Sequence, residues 1–281
     1  MPTPDVLTPT VTAAVRARPG HPCQDRHLIL AGAVAVLDGA TDPDEPQGRD
    51  GAWYADLLAA ALAARLPGHG SDLADLVADA IAEVTDTHRL HPGACPTSTV
   101  TMLRWSGGGQ PVEALALSDS PLILRQTSGI VHALADDRLN ALAGRLRARC
   151  RARLADGAGY DTHHAHLLRQ LRAELRAARN RPDGHYVAEA DPAAARHALR
   201  LTLPTARIRD AALLTDGAAA AVDRYGLYPD WPALLDDLHT HGPDHLLDRL
   251  RQAEAGDPNG QRWPRAKPAD DATVVYLRFT T

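Results

Sequence analysis

"HLILAGAVAVLDGATDP", residues 27–43, climbs through an apolar run and stops on Asp38-Gly39. Two readings compete for that ending. Asp and Gly are ordinary turn residues, and a strand must turn somewhere. A carboxylate held at the rim of a sheet can also grip a metal ion. The stretch alone does not choose between them, and the surrounding chain has to.

Outward from it, short segments alternate with helical ones. Residues 7–18 and 27–37 are β-like, rich in Val, Thr and Leu, with Pro19-Gly20-His21-Pro22 as a turn between them. A polar loop over 43–49 leads to a helix over 53–66, where Tyr54, Leu57, Leu58, Ala61 and Leu62 fall on one face. Residues 67–70 break it from a second helix over 72–88. Short strands are predicted at 98–105, 112–117, 122–126 and 130–134, with Ser106-Gly107-Gly108-Gly109 as one of the turns. Helices follow over 138–155 and 162–179, then strands at 185–188, 201–203 and 211–214. Helices over 231–238 and 243–254 and a strand over 272–279 close the chain. His163, His164 and His166 lack a glutamate at metalloprotease spacing and are expected to face solvent.

With no linker, repeat or low-complexity tract, residues 1–281 are expected to form one mixed α/β domain, with antiparallel strands in layers and helices outside. The composition is 44% hydrophobic with a net charge of −5, which gives no reason to expect nucleic-acid binding. Cys23, Cys95 and Cys150 have no metal-ligand spacing and suit free thiols in a reducing compartment. No signal peptide or membrane span is discernible, so the expectation is a cytoplasmic protein with no membrane partner.

An aspartate at a strand boundary recurs. Residues 112–117 run into Ser118-Asp119-Ser120, residues 211–214 into Thr215-Asp216-Gly217, and Asp270-Asp271 precede the last strand. Four aspartate sites at strand boundaries can converge at one rim of a layered sheet. Carboxylates that close repel, and such a cluster is expected only where a cation neutralises it. All-oxygen ligands select magnesium, manganese or calcium over zinc.

In order and in local sequence these sites resemble the metal-dependent protein phosphatases of type 2C, the PPM family, in a divergent bacterial form. "VAVLDGA" resembles the family's Asp-Gly motif, "ALSDSPLIL" its Gly-Asp-Ser strand pair, "AALLTDGAAAAVD" its Thr-Asp-Gly motif, and "DDATVVYL" its Asp-Asn motif. The resemblance covers nearly the whole chain and implies a four-layer αββα sandwich, two antiparallel sheets flanked by helices. It implies two divalent cations, Mn2+ or Mg2+, bridged by Asp38, with the Gly39 carbonyl on the second and Asp216 and Asp270 on the first. Asp119 corresponds to a ligand of a third, weaker metal, and Asp271 stands where asparagine is usual. The implied activity is hydrolysis of a phosphoserine or phosphothreonine protein or peptide by a hydroxide shared between the two cations.

Three departures from the family pattern stand out, the first of them at two positions of one motif. Gly20 stands where an arginine would bind the substrate phosphate, leaving Arg18, His21 and Arg26 as candidates. Gln24-Asp25 replaces an acidic pair, and Asp25 is a possible ligand through water. Ala40 stands where many members carry a histidine, and Ala220 where many carry another aspartate. Two alternatives therefore accompany the phosphatase reading: a weakly active module that binds a phosphorylated partner, or a phosphatase of a small phosphorylated metabolite. Trp53 and Tyr54 read as helix-packing aromatics. Arg262, Arg265 and Lys267 form either a solvated loop or a phosphate-attracting cluster. The interval 139–179 corresponds to the family's variable flap, so its Arg and His residues are the expected specificity elements.

Overall fold

The computed structural model describes residues 9–41, 48–67, 70–106 and 110–279. Leu7, most of the 43–49 loop, the middle of the 67–70 break and the glycines of the 106–109 turn lie outside them. The first strands are β1 (Thr10–Arg16), β2 (Asp25–Leu30), β3 (Ala33–Ala40), β4 (Thr97–Ser98), β5 (Val100–Arg104) and β6 (Pro111–Leu117). After them come β7 (Leu122–Gln126), β8 (Val131–Leu134), β9 (Leu199–Pro204), β10 (Ile208–Leu214) and β11 (Ala272–Arg278). One sheet has the order β1-β11-β10-β7-β8. The other has the order β2-β3-β5-β6-β9, with β4 added to the end of β3. The pairings are antiparallel throughout.

The opening stretch shows why the sheets stack. In β3, Val34 and Val36 pack with Leu103, Leu122, Leu213, Val275 and Leu277 between the sheets. The alternate residues Ala33, Ala35 and Leu37 pack under helices α1 (Gly51–Arg65) and α2 (Leu73–His88). A strand buried on both faces reads as an unbroken apolar run, because successive side chains enter two different cores. β10 and β11 do the same on the other side. Leu213 and Val275 face the inter-sheet core, while Leu214 and Val274 face α6 (Asp216–Asp223), α7 (Trp231–His241) and α8 (Pro243–Ala255). The layers run helix, sheet, sheet, helix, the four-layer sandwich expected from the resemblance.

Several boundaries differ from the sequence reading. The 27–37 segment is a hairpin rather than one strand: Gly32 turns it at φ +84°, where a Cβ would lie 2.8 Å from the Trp105 carbonyl oxygen. β3 does not stop before Asp38 but continues through Gly39 and Ala40, paired with Ser98 and Thr97. The 138–155 helix is split into α3 (Arg138–Ala141) and α4 (Gly144–Ala155) by Ala143, which is left-handed at φ 55°. α5 (Thr162–Ala177) ends two residues early, and 185–188 contributes only isolated bridges, Arg179 with His185 and Ser98 with Ala188. α6 is not discernible in the sequence because its alanines carry no large-residue periodicity. His164 is buried, its Nε2 3.1 Å from the Ala266 carbonyl oxygen, while His163 and His166 are exposed as expected. Among the described residues no helix is long and apolar enough to cross a membrane.

Gly39 has a packing reason independent of chemistry. A Cβ there would sit 2.3 Å from the Gly51 carbonyl oxygen and 2.8 Å from that of Gln24, and a Cβ on Gly51 would in turn meet Ala40 N at 2.6 Å. The first turn of α1 lies directly on the backbone of β3, and only a pair of glycines allows that approach. Gly39→Ala should therefore lower stability by about 3 kcal/mol in urea titrations. The control Gly144→Ala, where a Cβ meets nothing within 4 Å, should be neutral or slightly stabilising.

Candidate active site

Asp38 follows Val34 and Val36 on the inter-sheet face of β3, so its carboxylate emerges at the edge between the two sheets. β2 pairs with β3 so that Asp25 stands directly opposite Asp38. Like charges in that position repel. The fold restrains Asp25 instead of moving it: its Oδ2 accepts hydrogen bonds from the Thr215 hydroxyl at 3.0 Å and the Thr273 hydroxyl at 2.8 Å. Thr215 and Thr273 lie on the other sheet's edge and are tied to each other, Thr273 N donating to Thr215 Oγ1 at 2.9 Å. The Asp25 carboxylate thus pins one sheet to the other at the mouth of the sandwich. The Asp38 backbone is fixed from β5's side, its N donating to Thr99 Oγ1 at 3.0 Å.

Asp216 is the first residue of α6, and Gly217 behind it lets the helix start against the Asp270-Asp271 backbone. A Cβ on Gly217 would be 1.9 Å from the Asp271 carbonyl oxygen. Asp119 follows β6 after Ser118, which adopts φ +74°. That conformation ordinarily calls for glycine. The two residues before β11 divide their work. Asp271 Oδ1 accepts from Arg18 N at 2.7 Å and its Oδ2 from Gln24 N at 3.0 Å, so it fastens the loop between β1 and β2. Asp270 instead faces a cleft of about 270 Å³, together with Asp38, Ala40, Thr99, Asp119, Asp216 and Lys267.

Burial, and then crowding, raises four of the acids. Burial, then the charges of Asp25, Asp216 and Asp270, push Asp38 well above the carboxylate range. Burial lifts Asp25 to about 7 against the two threonine hydrogen bonds, with Asp271 and Asp216 adding to it. Burial and Asp216 lift Asp119 to about 7, and burial and Asp216 lift Asp270 to about 6 against Lys267. Burial would lower Lys267, but Asp270, Asp216 and Asp38 more than offset it. The Lys267 ammonium is ion-paired with Asp270. Two buried carboxylate oxygens, Asp25 Oδ1 and Asp216 Oδ1, have no hydrogen-bond partner. Unpaired buried acceptors are costly and mark a place where a proton or a cation belongs. An all-carboxylate donor set with such acceptors suits a hard divalent ion.

The candidate phosphate ligands of the N-terminal segment are elsewhere. Arg26 is ion-paired with Asp56 of α1, its Nη2 2.7 Å from Asp56 Oδ2. Neither it, Arg18 nor exposed His21 lines the cleft. The cations that do are Lys267, Arg172 and Arg176 of α5 and Arg179 just beyond it. Arg172 is exposed, and Arg179 is ion-paired with Glu189 at 2.8 Å. The spacing of Arg172, Arg176 and Arg179 places them on one helical face, a signal present in the sequence that lacked an orientation. His185 also lines the cleft, buried, its Nε2 3.3 Å from the Leu175 carbonyl oxygen. Of the cluster before Asp270, Arg265 is buried against Asp257 at 2.8 Å and Arg262 covers the Trp263 ring. Only Lys267 of the three reaches the cleft. Tyr54 is buried with its hydroxyl donating to the Glu189 carbonyl, and Trp53 packs against His88, so neither lines the cleft.

The raised acids set a pH dependence for the metal-free chain. The folded state holds these protons more tightly than the unfolded one, whose aspartates titrate near about 3.9. Their stabilising contribution is therefore complete below that value and is lost as the pH rises towards 7. In chelator, the urea-unfolding free energy should fall by roughly 1–2 kcal/mol or more between about pH 5 and 7.5. Asp25→Asn, which keeps an acceptor for both threonines, should flatten that fall.

Compared with protein-family models and with curated protein sequences, the chain matches none. Solved structures do match. A PPM Ser-Thr phosphatase of Mycobacterium smegmatis, MsPP, in complex with cacodylate is 18% identical with a TM-score of 0.55, covering 96% of this chain and 98% of that one. PppA of Pseudomonas aeruginosa, a regulatory component of the type VI secretion system, is 16% identical with a TM-score of 0.55, covering 98% and 100%. The catalytic domain of the serine/threonine phosphatase PstP, in complex with two manganese ions, is 18% identical with a TM-score of 0.54, covering 98% and 100%. The chain has, over nearly its whole length, the fold of the PPM serine/threonine phosphatases.

Proposed function

We propose that this chain is a divalent-metal-dependent phosphomonoester hydrolase of the PPM family, acting as one domain on phosphoserine or phosphothreonine in a cytoplasmic protein or peptide. The observation that carries it is the meeting of Asp25, Asp38, Asp119, Asp216 and Asp270, from separate stretches of chain, at one sheet edge with two buried oxygens unsatisfied. In this reading Asp38 and the Gly39 carbonyl hold a pair of Mn2+ or Mg2+ ions with Asp216 and Asp270. Asp119 would hold a third loosely, since Ala220, one turn after Asp216 on α6, offers no ligand, and Asp25 would take part through water. When bound, the cations acidify water and neutralise phosphoryl oxygens.

The chain's own groups do the rest. Asp25 is kept in place by the Thr215 and Thr273 hydroxyls and accepts a proton at its free Oδ1. Arg172, Arg176 and Lys267 supply the positive charge for the phosphate that position 20 does not. Ala40 leaves the leaving-group side of the cleft open, so the leaving oxygen takes its proton from water. One observation favours the phosphoprotein-binding alternative: the ammonium of Lys267 already neutralises Asp270.

Turnover of p-nitrophenyl phosphate and of a phosphothreonine peptide, with and without Mn2+, separates the two. The hydrolase reading expects metal-dependent turnover of both, abolished by chelator. Asp38→Ala should lower kcat by about a hundredfold or more. Lys267→Met should lower kcat/KM about tenfold while Mn2+ affinity stays the same or tightens, because a competitor for Asp270 is gone. Absence of turnover by metal-saturated protein, with retained phosphopeptide binding, would replace the hydrolase by the binding module.

A further inference from the structure

Among the described residues, one trio of His, Cys, Asp or Glu ligand atoms lies with all members within 4.8 Å of one another, and it is not in the cleft. It consists of Asp237, His241 and His245 at the corner between α7 and α8. Asp237 and His241 are one helical turn apart on α7. Gly242, at φ +81°, ends that helix, and Pro243 starts the next, which folds His245 back over His241. The two imidazole rings are 4.7 Å apart.

We propose that these three side chains form a second metal site, for a borderline transition cation such as Zn2+, independent of the cleft and of its chemistry. An imidazole paired with a carboxylate at a helix C-terminus is common, and the helix dipole favours it. That accounts for one histidine. Here two converge on one oxygen: His241 Nδ1 is 2.9 Å and His245 Nε2 3.7 Å from Asp237 Oδ1. Two ligands on a tetrahedral ion at about 2.1 Å stand about 3.4 Å apart, and the two observed separations bracket that value.

The other carboxylate oxygen is already engaged. The Tyr228 hydroxyl donates to Asp237 Oδ2 at 2.6 Å, and the Arg249 guanidinium lies over the Tyr228 ring at 4.6 Å. This outer contact fixes the carboxylate with Oδ1 towards the histidines, the arrangement that orients metal-bound carboxylates. Both imidazoles are about half exposed, so the cation has an entry path and room for a water as fourth ligand. Two nitrogens and one oxygen select Zn2+, Ni2+ or Cu2+ over Mg2+ and Mn2+.

The test uses the full chain with Asp38→Asn and Asp270→Asn, which disable the cleft, titrated with Co2+ as a spectroscopic stand-in for Zn2+. One equivalent should bind with the visible absorption of a four- or five-coordinate site, be displaced by Zn2+, and persist in millimolar Mn2+. Adding His245→Ala should abolish the absorption or weaken Zn2+ binding about 10- to 100-fold, with the far-ultraviolet circular dichroism unchanged. Should the cleft variant not fold, wild-type protein with its cleft saturated by Mn2+ takes its place. Absence of a stoichiometric Co2+ site, or one that survives His245→Ala, overturns the proposal. Phosphatase activity does not enter the result, so its presence or absence leaves this outcome unaffected.

Discussion

Repulsion among the carboxylates at one edge of the sandwich is the constraint around which the rest of the mouth is arranged. Asp25 and Asp38 face each other across β2 and β3, with Asp216 and Asp270 close enough to raise Asp38 further. Such a cluster survives without a cation only if protons, hydroxyls and an ammonium share the load. Here the Thr215 and Thr273 hydroxyls hold Asp25, Lys267 sits on Asp270, and Asp38 is pushed towards its neutral form. Metal binding would substitute one neutralising agent for several.

The scaffold that keeps the acids together is built from backbone contacts. Gly39 against Gly51 lets α1 rest on β3, and Gly217 lets α6 start against the residues before β11. Asp271 ties the 18–24 loop to the start of β11 through two backbone amides. Arg251 of α8 donates to the carbonyls of Arg16 and Asp270, at 2.8 and 2.6 Å. Asp25 pins the two sheets with its own carboxylate, but Asp38, Asp216 and Asp270 are carried by elements whose positions are fixed by other atoms. That separation allows the carboxylates to be poised for a ligand instead of being consumed in holding the fold.

Positive charge enters the cleft from the 139–179 interval and the loop before β11, not from the β1–β2 loop. The β1–β2 loop has spent its cations structurally: Arg26 on Asp56, and Arg18 contributing its backbone amide to Asp271. Arg172, Arg176 and Arg179 come instead from α5 and the residues after it, joined by Lys267 from the loop before β11. Both segments lie outside the two sheets. Placing the anion-attracting groups there decouples recognition from the core.

Much of the architecture was legible in the chain because burial on two faces leaves a direct trace. The unbroken run of β3, the leucine stripe of α5 and the apolar closing strand each specify their element through side-chain period alone. The aspartates were legible because Asp38, Asp119, Asp216 and Asp270 each stand at or near the end of a strand. What the sequence could not supply was direction in space. The hairpin at Gly32 depends on Trp105, seventy-odd residues away, accepting its close approach. The helix α6 is an alanine run whose pattern says little until the second core closes over it. Asp270 and Asp271 are chemically identical neighbours, and only the tertiary structure points one into the cleft and the other on to backbone amides. The same holds for the arginines: Arg26 and Arg172 carry the same charge, but whether a guanidinium meets a carboxylate or a cleft is decided by which elements pack beside it. The order of residues determined which groups exist and, α6 apart, which strands and helices carry them, since those follow from local period and backbone preference. Which groups meet was left to long-range packing, because contact between distant residues is a property of the whole fold.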